Sequence, residues 1–164
     1  MSMKKFVMAL VLGLVSLSAS AQFESGMKYG NLSLTGLDMS YMKGSKFHLG
    51  IQGQGGYFVA QDWMVGGKLG YDFQGGPSTH IFDLGADVRY YFEKSGIYLS
   101  GGLLYQHLDI GAKQNWLSVV PEVGYCFFLN QHVTIEPAIY CHLCVNEFED
   151  GSKVGLKVGF GFYF

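Results

Sequence analysis

Apolar and polar residues alternate along the chain in successive strand-length runs, each closed by a turn. The second run sets Phe47, Leu49, Ile51, Gly53, Gly55 and Tyr57 on one face, with His48, Gly50, Gln52, Gln54 and Gly56 on the other. The third sets Val65, Gly67, Leu69, Tyr71 and Phe73 against Lys68, Gly70 and Asp72. The fourth sets Phe82, Leu84, Ala86, Val88 and Tyr90 against Asp83, Gly85, Asp87, Arg89 and Tyr91. Apolar faces of the same kind follow in the fifth (Ile97 to Tyr105), sixth (Leu117 to Phe127), seventh (Val133 to Leu143) and eighth (Leu156 to Phe164). A period of two held this long predicts strands with two unlike faces. The first run, Tyr29 to Tyr41, changes parity between Leu34 and Leu37, which predicts a β-bulge at Thr35-Gly36. The count is eight strands, with ten as the alternative.

The connections differ in character. Ala60-Gln61-Asp62, Glu93 to Gly96 and Asn130-Gln131 are tight. Lys43 to Lys46, Gln74 to Ser78, Leu108 to Asn115 and Val145 to Lys153 form the other set, most of them longer. Short turns at one end and longer loops at the other are the layout of a bacterial transmembrane barrel.

A soluble barrel with its apolar face inward is the rival arrangement. Three features oppose it. The apolar faces of the second to eighth runs carry no Asp, Glu, Lys or Arg. The opposite faces are largely Gly, Ser and Gln with a few charges, a filling suited to a narrow interior. Aromatics gather at the strand ends beside the tight turns (Tyr57, Phe58, Trp63, Tyr90, Phe92, Phe127, Phe128, Phe162 and Phe164) and, more thinly, near the long loops (Tyr41, Phe47, Tyr71, Phe73, Phe82, Tyr105 and Trp116). Two aromatic bands around an aliphatic belt match membrane-interface girdles. The expected fold is therefore all-β: an eight-stranded antiparallel up-and-down transmembrane β-barrel, closed because an open edge in lipid leaves backbone groups unpaired.

Composition agrees with strands rather than helices. The 164 residues include 24 Gly, 13 Phe and 11 Tyr. Residues 1–21 read as a secretory signal: Lys4 and Lys5, an apolar run from Phe6 to Leu17, then Ala19-Ser20-Ala21 as the cleavage site. That leaves 22–164 as the barrel domain. Gln22 rather than Cys follows the site, so no lipid-modified N-terminus is expected. The net charge is −2 before two signal lysines are removed, so electrostatic nucleic-acid binding is not expected. Three cysteines make an odd number, against a disulfide-stapled scaffold.

The last strand, Val158-Gly159-Phe160-Gly161-Phe162-Tyr163-Phe164, closes the chain on alternating aromatics and a terminal Phe. Together with the Gly-rich strands and the Arg89-Tyr90-Tyr91-Phe92 strand end, it resembles the small outer-membrane β-barrel family, the OmpA/OmpX-like and porin-like eight-stranded barrels of Gram-negative bacteria. The resemblance spans 22–164. It implies the cell outer membrane as location and outer-membrane lipids as surroundings. It also implies that Phe160, Phe162 and Phe164 form the signal read by the outer-membrane assembly machinery. A fold of this kind says little about activity.

Several residues carry candidate chemistry. Lys68, Asp87, Arg89, Glu122, Glu136 and Lys157 fall near mid-height on the polar face and are expected to form an interior ion belt, since an isolated buried charge is costly. With Asp38, Asp72 and Asp83 also inward, acids outnumber bases, so replacing Glu122 by Gln is expected to be mild and replacing Lys68 or Lys157 by Met worse. His48, His80, His107 and His142 lie toward the long-loop end and are weak metal candidates; no cofactor is expected. Cys141 and Cys144 form C-x-x-C, but in a strand their sulfurs lie about 10 Å apart on opposite faces. Ser40, Ser78 and Ser118 lack an evident acid–base partner, so no enzyme is expected. The expected role is a non-enzymatic, monomeric membrane barrel with structural or surface-interaction duties. A narrow porin-like channel is the alternative, and a lipid-modifying outer-membrane enzyme the remote one.

Overall fold

The structure, a computed structural model, describes residues 23–35, 48–74, 79–92, 95–109, 113–145 and 153–164. The proposed signal segment, residues 1–21, lies outside them, as do Gly36 of the expected bulge and Asp38. Nine ladder segments are present among the described residues: β1 Lys28–Thr35, β2 His48–Ala60, β3 Trp63–Gln74, β4 Thr79–Tyr91, β5 Ile97–Asp109, β6 Lys113–Tyr125, β7 Phe127–Phe128, β8 Val133–Cys144 and β9 Lys153–Tyr163. β6 and β7 are two parts of one stave. Both pair β8 in a single register, Gly124 opposite Ala138 and Phe127 opposite Ile135. Eight staves result, each antiparallel to the next. β1 pairs both β2 and β9, so the sheet closes on itself and no edge is left. The all-β eight-stranded antiparallel barrel expected from the alternation is the observed architecture.

The period-two pattern sets the two surfaces. Leu32, Ile51, Leu69, Leu84, Leu103 and Ile139 stand outward, each more than half exposed. Among the outward strand residues whose side chains are described, the one charge is Lys28, at the first position of β1. Trp63 and Tyr90, Tyr90 and Phe92, and Tyr125 and Phe127 make ring pairs on the outside near the tight turns, with centroids 4.9, 5.2 and 4.4 Å apart. Two aromatics assigned to that girdle belong elsewhere. Phe58 is fully buried, and Phe128 packs against the same buried cluster. They follow the inward parity of their strands, and the strand-end position is not enough to place them outside.

That cluster is a floor across the tight-turn end. Tyr29, Phe58, Met64, Tyr91, Tyr98, Cys126 and Tyr163 point inward there. Phe23, upstream of β1, enters from below and stacks on Tyr91 at 4.1 Å and on Phe58 at 5.7 Å. Its carbonyl accepts from the Asp62 amide at 3.0 Å, and the Gly26 amide donates to the Phe58 carbonyl at 2.8 Å. Gly26 has φ 96°, a left-handed conformation that a side chain would strain, and this bend returns the chain into β1.

Candidate functional site

The interior is built in layers above this floor. Arg89, on β4, lies deepest and is about 1% exposed. Its Nη1 lies 3.1 Å from Glu136 Oε2 and donates to Tyr29 Oη at 3.0 Å and Tyr91 Oη at 3.2 Å. Its Nη2 donates to Gln54 Oε1 at 2.8 Å, and the guanidinium carbon stands 4.0 Å from the Tyr98 ring centre. Glu136, on β8, also accepts from Tyr29 Oη at 2.5 Å, Tyr163 Oη at 2.8 Å and Thr134 Oγ1 at 2.8 Å. A buried ion pair is tolerable when the remaining lone pairs and protons find donors and acceptors, and these do.

Glu122, on β6, is the hub of the next layer. Lys157 Nζ lies 2.6 Å from its Oε2, Lys68 Nζ 3.3 Å from the same atom, and Arg89 Nη2 3.5 Å from Oε1. Tyr98 donates to Oε1 at 2.9 Å. Asp87 lies 3.4 Å from Lys68 and accepts from Gln54 at 3.0 Å and Ser100 at 2.9 Å. All six proposed belt residues thus meet in one buried cluster. Neutral groups outside the expected belt complete it: Gln54, Ser100, Tyr29, Tyr98 and Tyr163. Their inward parity was the signal that could have found them.

The notion of a surplus of acids in the belt needs correction. Among the described residues, three carboxylates (Asp87, Glu122, Glu136) face three cations (Lys68, Arg89, Lys157). Asp72 and Asp83 sit higher, where Thr35 Oγ1 donates to Asp72 at 3.3 Å and Gln106 Nε2 to Asp83 at 2.9 Å. Successive inward residues along a strand are about 6.6 Å apart, so these acids belong to another layer.

Above the belt lies a cavity of about 30 Å³, with Asp72, Asp83, His142 and Lys157 on its polar walls and Leu104, Val120 and Tyr140 on an apolar one. That room is roughly the share of one liquid water. Belt and aromatic floor close the barrel below it.

The remaining candidates separate. His142 is buried inward with its ring 5.0 Å from Tyr140. His107, at the rim, lies 2.9 Å from Asn115 Oδ1 through Nδ1. His48 and His80 occupy strand positions opposite Gln74 and Phe73, and their side chains lie outside the description. No group of three His, Cys, Asp or Glu residues able to hold a metal forms among the described residues. Cys126, Cys141 and Cys144 are free thiols. Ser118 is fully buried, and its hydroxyl has no hydrogen-bond partner among the described residues. Ser40 and Ser78 lie outside the described residues.

No protein-family model and no curated sequence matches the chain. Its fold, however, is that of solved eight-stranded outer-membrane barrels. The N-terminal barrel domain of Pseudomonas aeruginosa OprF superposes with TM-score 0.65 at 18% identity, over 85% of this chain and 98% of that one. Neisserial surface protein A gives 0.63 at 17% identity, over 85% and 98%. Ail, the attachment invasion locus protein of Yersinia pestis, gives 0.57 at 15% identity, over 85% and 99%.

Proposed function

We propose that this chain is an integral outer-membrane protein of a Gram-negative bacterium, without enzymatic activity and closed to solutes at rest. One observation carries the reading: an apolar outer surface, on which Lys28 is the one charge among the side chains described, encloses a buried interior crossed by a charge-balanced ion belt. Water favours the reverse arrangement, and a bilayer favours this one. The signal segment 1–21 directs export, both termini face the periplasm, and the protein works as a monomer among outer-membrane lipids. Phe160, Phe162 and Phe164, all outward, act as the recognition signal for the assembly machinery. Its role is structural or surface-interacting, through the connections 74–78, 108–115 and 145–153. One structural neighbour is itself named for attachment, which supports the surface role.

Membrane fractionation and heat-modifiable gel mobility test the location: a mature protein found soluble in the periplasm overturns it. Single-channel recording in planar bilayers tests closure. Silence in the wild type and in Lys157→Ala supports a closed barrel; steady wild-type openings altered by that change make it a narrow channel instead.

A further inference from the structure

The wall is not equally strong all round. On the β6/β7–β8 seam the register is constant, yet no ladder pairing forms at positions 120–121 with 141–142 or at 125–126 with 136–137. Each gap contains a proline, Pro121 in the first and Pro137 in the second. The hydrogen-bonded positions on this seam follow from its two ends. The Val145 amide donates to the Leu117 carbonyl at 2.9 Å, and the Leu129 amide to the Val133 carbonyl at 2.9 Å. Odd-numbered residues therefore exchange the hydrogen bonds across this seam, and both prolines are odd. The amide of Cys126, an even residue, donates the other way, to Gly96 at 2.8 Å. Pro121 and Pro137 thus withhold their N–H groups from one and the same seam, from the carbonyls of Cys141 and Tyr125 respectively. In lipid no water replaces a missing donor.

The upper gap adjoins the cavity. Val120 and Tyr140 flank it on the inside and, with Leu104, make the apolar wall of an otherwise polar chamber. On the outside the same stretch presents Val119, Val123 and Ile139 to the surroundings. An apolar surface inside, an apolar surface outside and a weakened wall between them form a route for an apolar group. We propose that the seam at Pro121 and Cys141 is a lateral portal through which a single hydrocarbon chain passes from the bilayer to lie against Leu104, Val120 and Tyr140. The cavity holds little at rest, so strands β6 and β8 part as the chain enters, where the absent donor makes parting easiest. The interior of an eight-stranded barrel has no space for two chains, so the ligand is a single-chain lipophile rather than a phospholipid.

The proposal rests on the membrane reading, so reconstituted protein is first shown to be folded by heat-modifiable mobility; failure there counts against that reading, not the portal. Val123 faces Ile139 at a hydrogen-bonded pair position next to the gap, both side chains outward, where Cα atoms about 5.5 Å apart suit a disulfide. Val123→Cys with Ile139→Cys, in a background with Cys126, Cys141 and Cys144 changed to Ser, therefore leaves Pro121 in place, staples the seam when oxidised and frees it when reduced. A palmitic acid with a terminal diazirine is photolysed with each form in vesicles, and the labelled residues are mapped by mass spectrometry. Label on Leu104, Val120 or Tyr140 in the reduced form, falling at least fivefold on oxidation, is the expected result. No label on these residues in the wild type, or equal label in both redox forms, overturns the portal. A diazirine phospholipid is expected to label only outward residues, and label on the inward three overturns the single-chain assignment.

Discussion

Lys157 Nζ lies 2.6 Å from Glu122 Oε2, and Lys68 Nζ meets the same oxygen at 3.3 Å, so one carboxylate from β6 joins β9 to β3 across the barrel. None of these three strands neighbours another in the sheet. The contact ties opposite walls together, which wall hydrogen bonds do not do.

Glu122→Gln is expected to be among the more damaging interior changes. It removes the anion shared by three cations and leaves them in low dielectric, at about 3–5 kcal/mol. Lys68→Met is expected to cost less, about 1–3 kcal/mol, because Glu122 keeps Lys157 and Arg89 while Asp87 keeps Gln54 and Ser100. Urea unfolding of the refolded proteins in vesicles ranks the two, and the reverse order would show that Glu122 is not the hub.

Phe23→Ala should open the floor. The Phe23 ring covers Tyr91 and Phe58, and Cys126 lies in the same cluster, 2% exposed with its Sγ 3.5 Å from Tyr163 Oη. In a Cys141→Ser, Cys144→Ser background, maleimide labelling of Cys126 in the folded protein is expected to rise about tenfold, the factor that about 1.4 kcal/mol of lost cover corresponds to. Unchanged labelling means the floor stays closed without Phe23.

The two faces respond differently to charge. Leu84 is outward on β4, midway along an uncharged surface, and Leu84→Arg should destabilise the barrel in lipid by about 2–4 kcal/mol. Lys28→Ala, at the strand end, should change stability by under about 0.5 kcal/mol. Equal small effects would argue that the outer surface faces water.

Glycines divide in the same way. A Cβ at Gly161 would crowd Thr134 Oγ1 and stand 2.9 Å from Glu136 Cδ, whereas one at Gly30 or Gly55 would meet nothing within 4 Å. Gly161→Ala should therefore cost about 1–3 kcal/mol through the displaced Glu136. Gly55→Ala should cost far less, and thermal or urea midpoints compare them.

Alternation alone determined the strand count, the two surfaces and the identity of the six belt ions. A strand has a period of two, so parity in the chain is side in the barrel, and Lys68 or Glu122 can be placed inward without coordinates. Parity places Tyr91 and Phe58 alike inside, and the expectation failed at Phe58 because position near a turn was weighed above parity. Tertiary structure decided the rest. Lys68, Glu122 and Lys157 come from β3, β6 and β9, and their meeting depends on the diameter and stagger of the closed sheet, which no local pattern encodes. Phe23 carries no strand period at all, so its place in the floor follows from the bend at Gly26 and the bond to Asp62. Pro121 and Pro137 are visible in the chain, but that both turn their missing donors to one seam depends on which residues pair across it. Hydrogen-bond parity is a property of two strands in register, and it exists only once β6 and β7 have paired with β8.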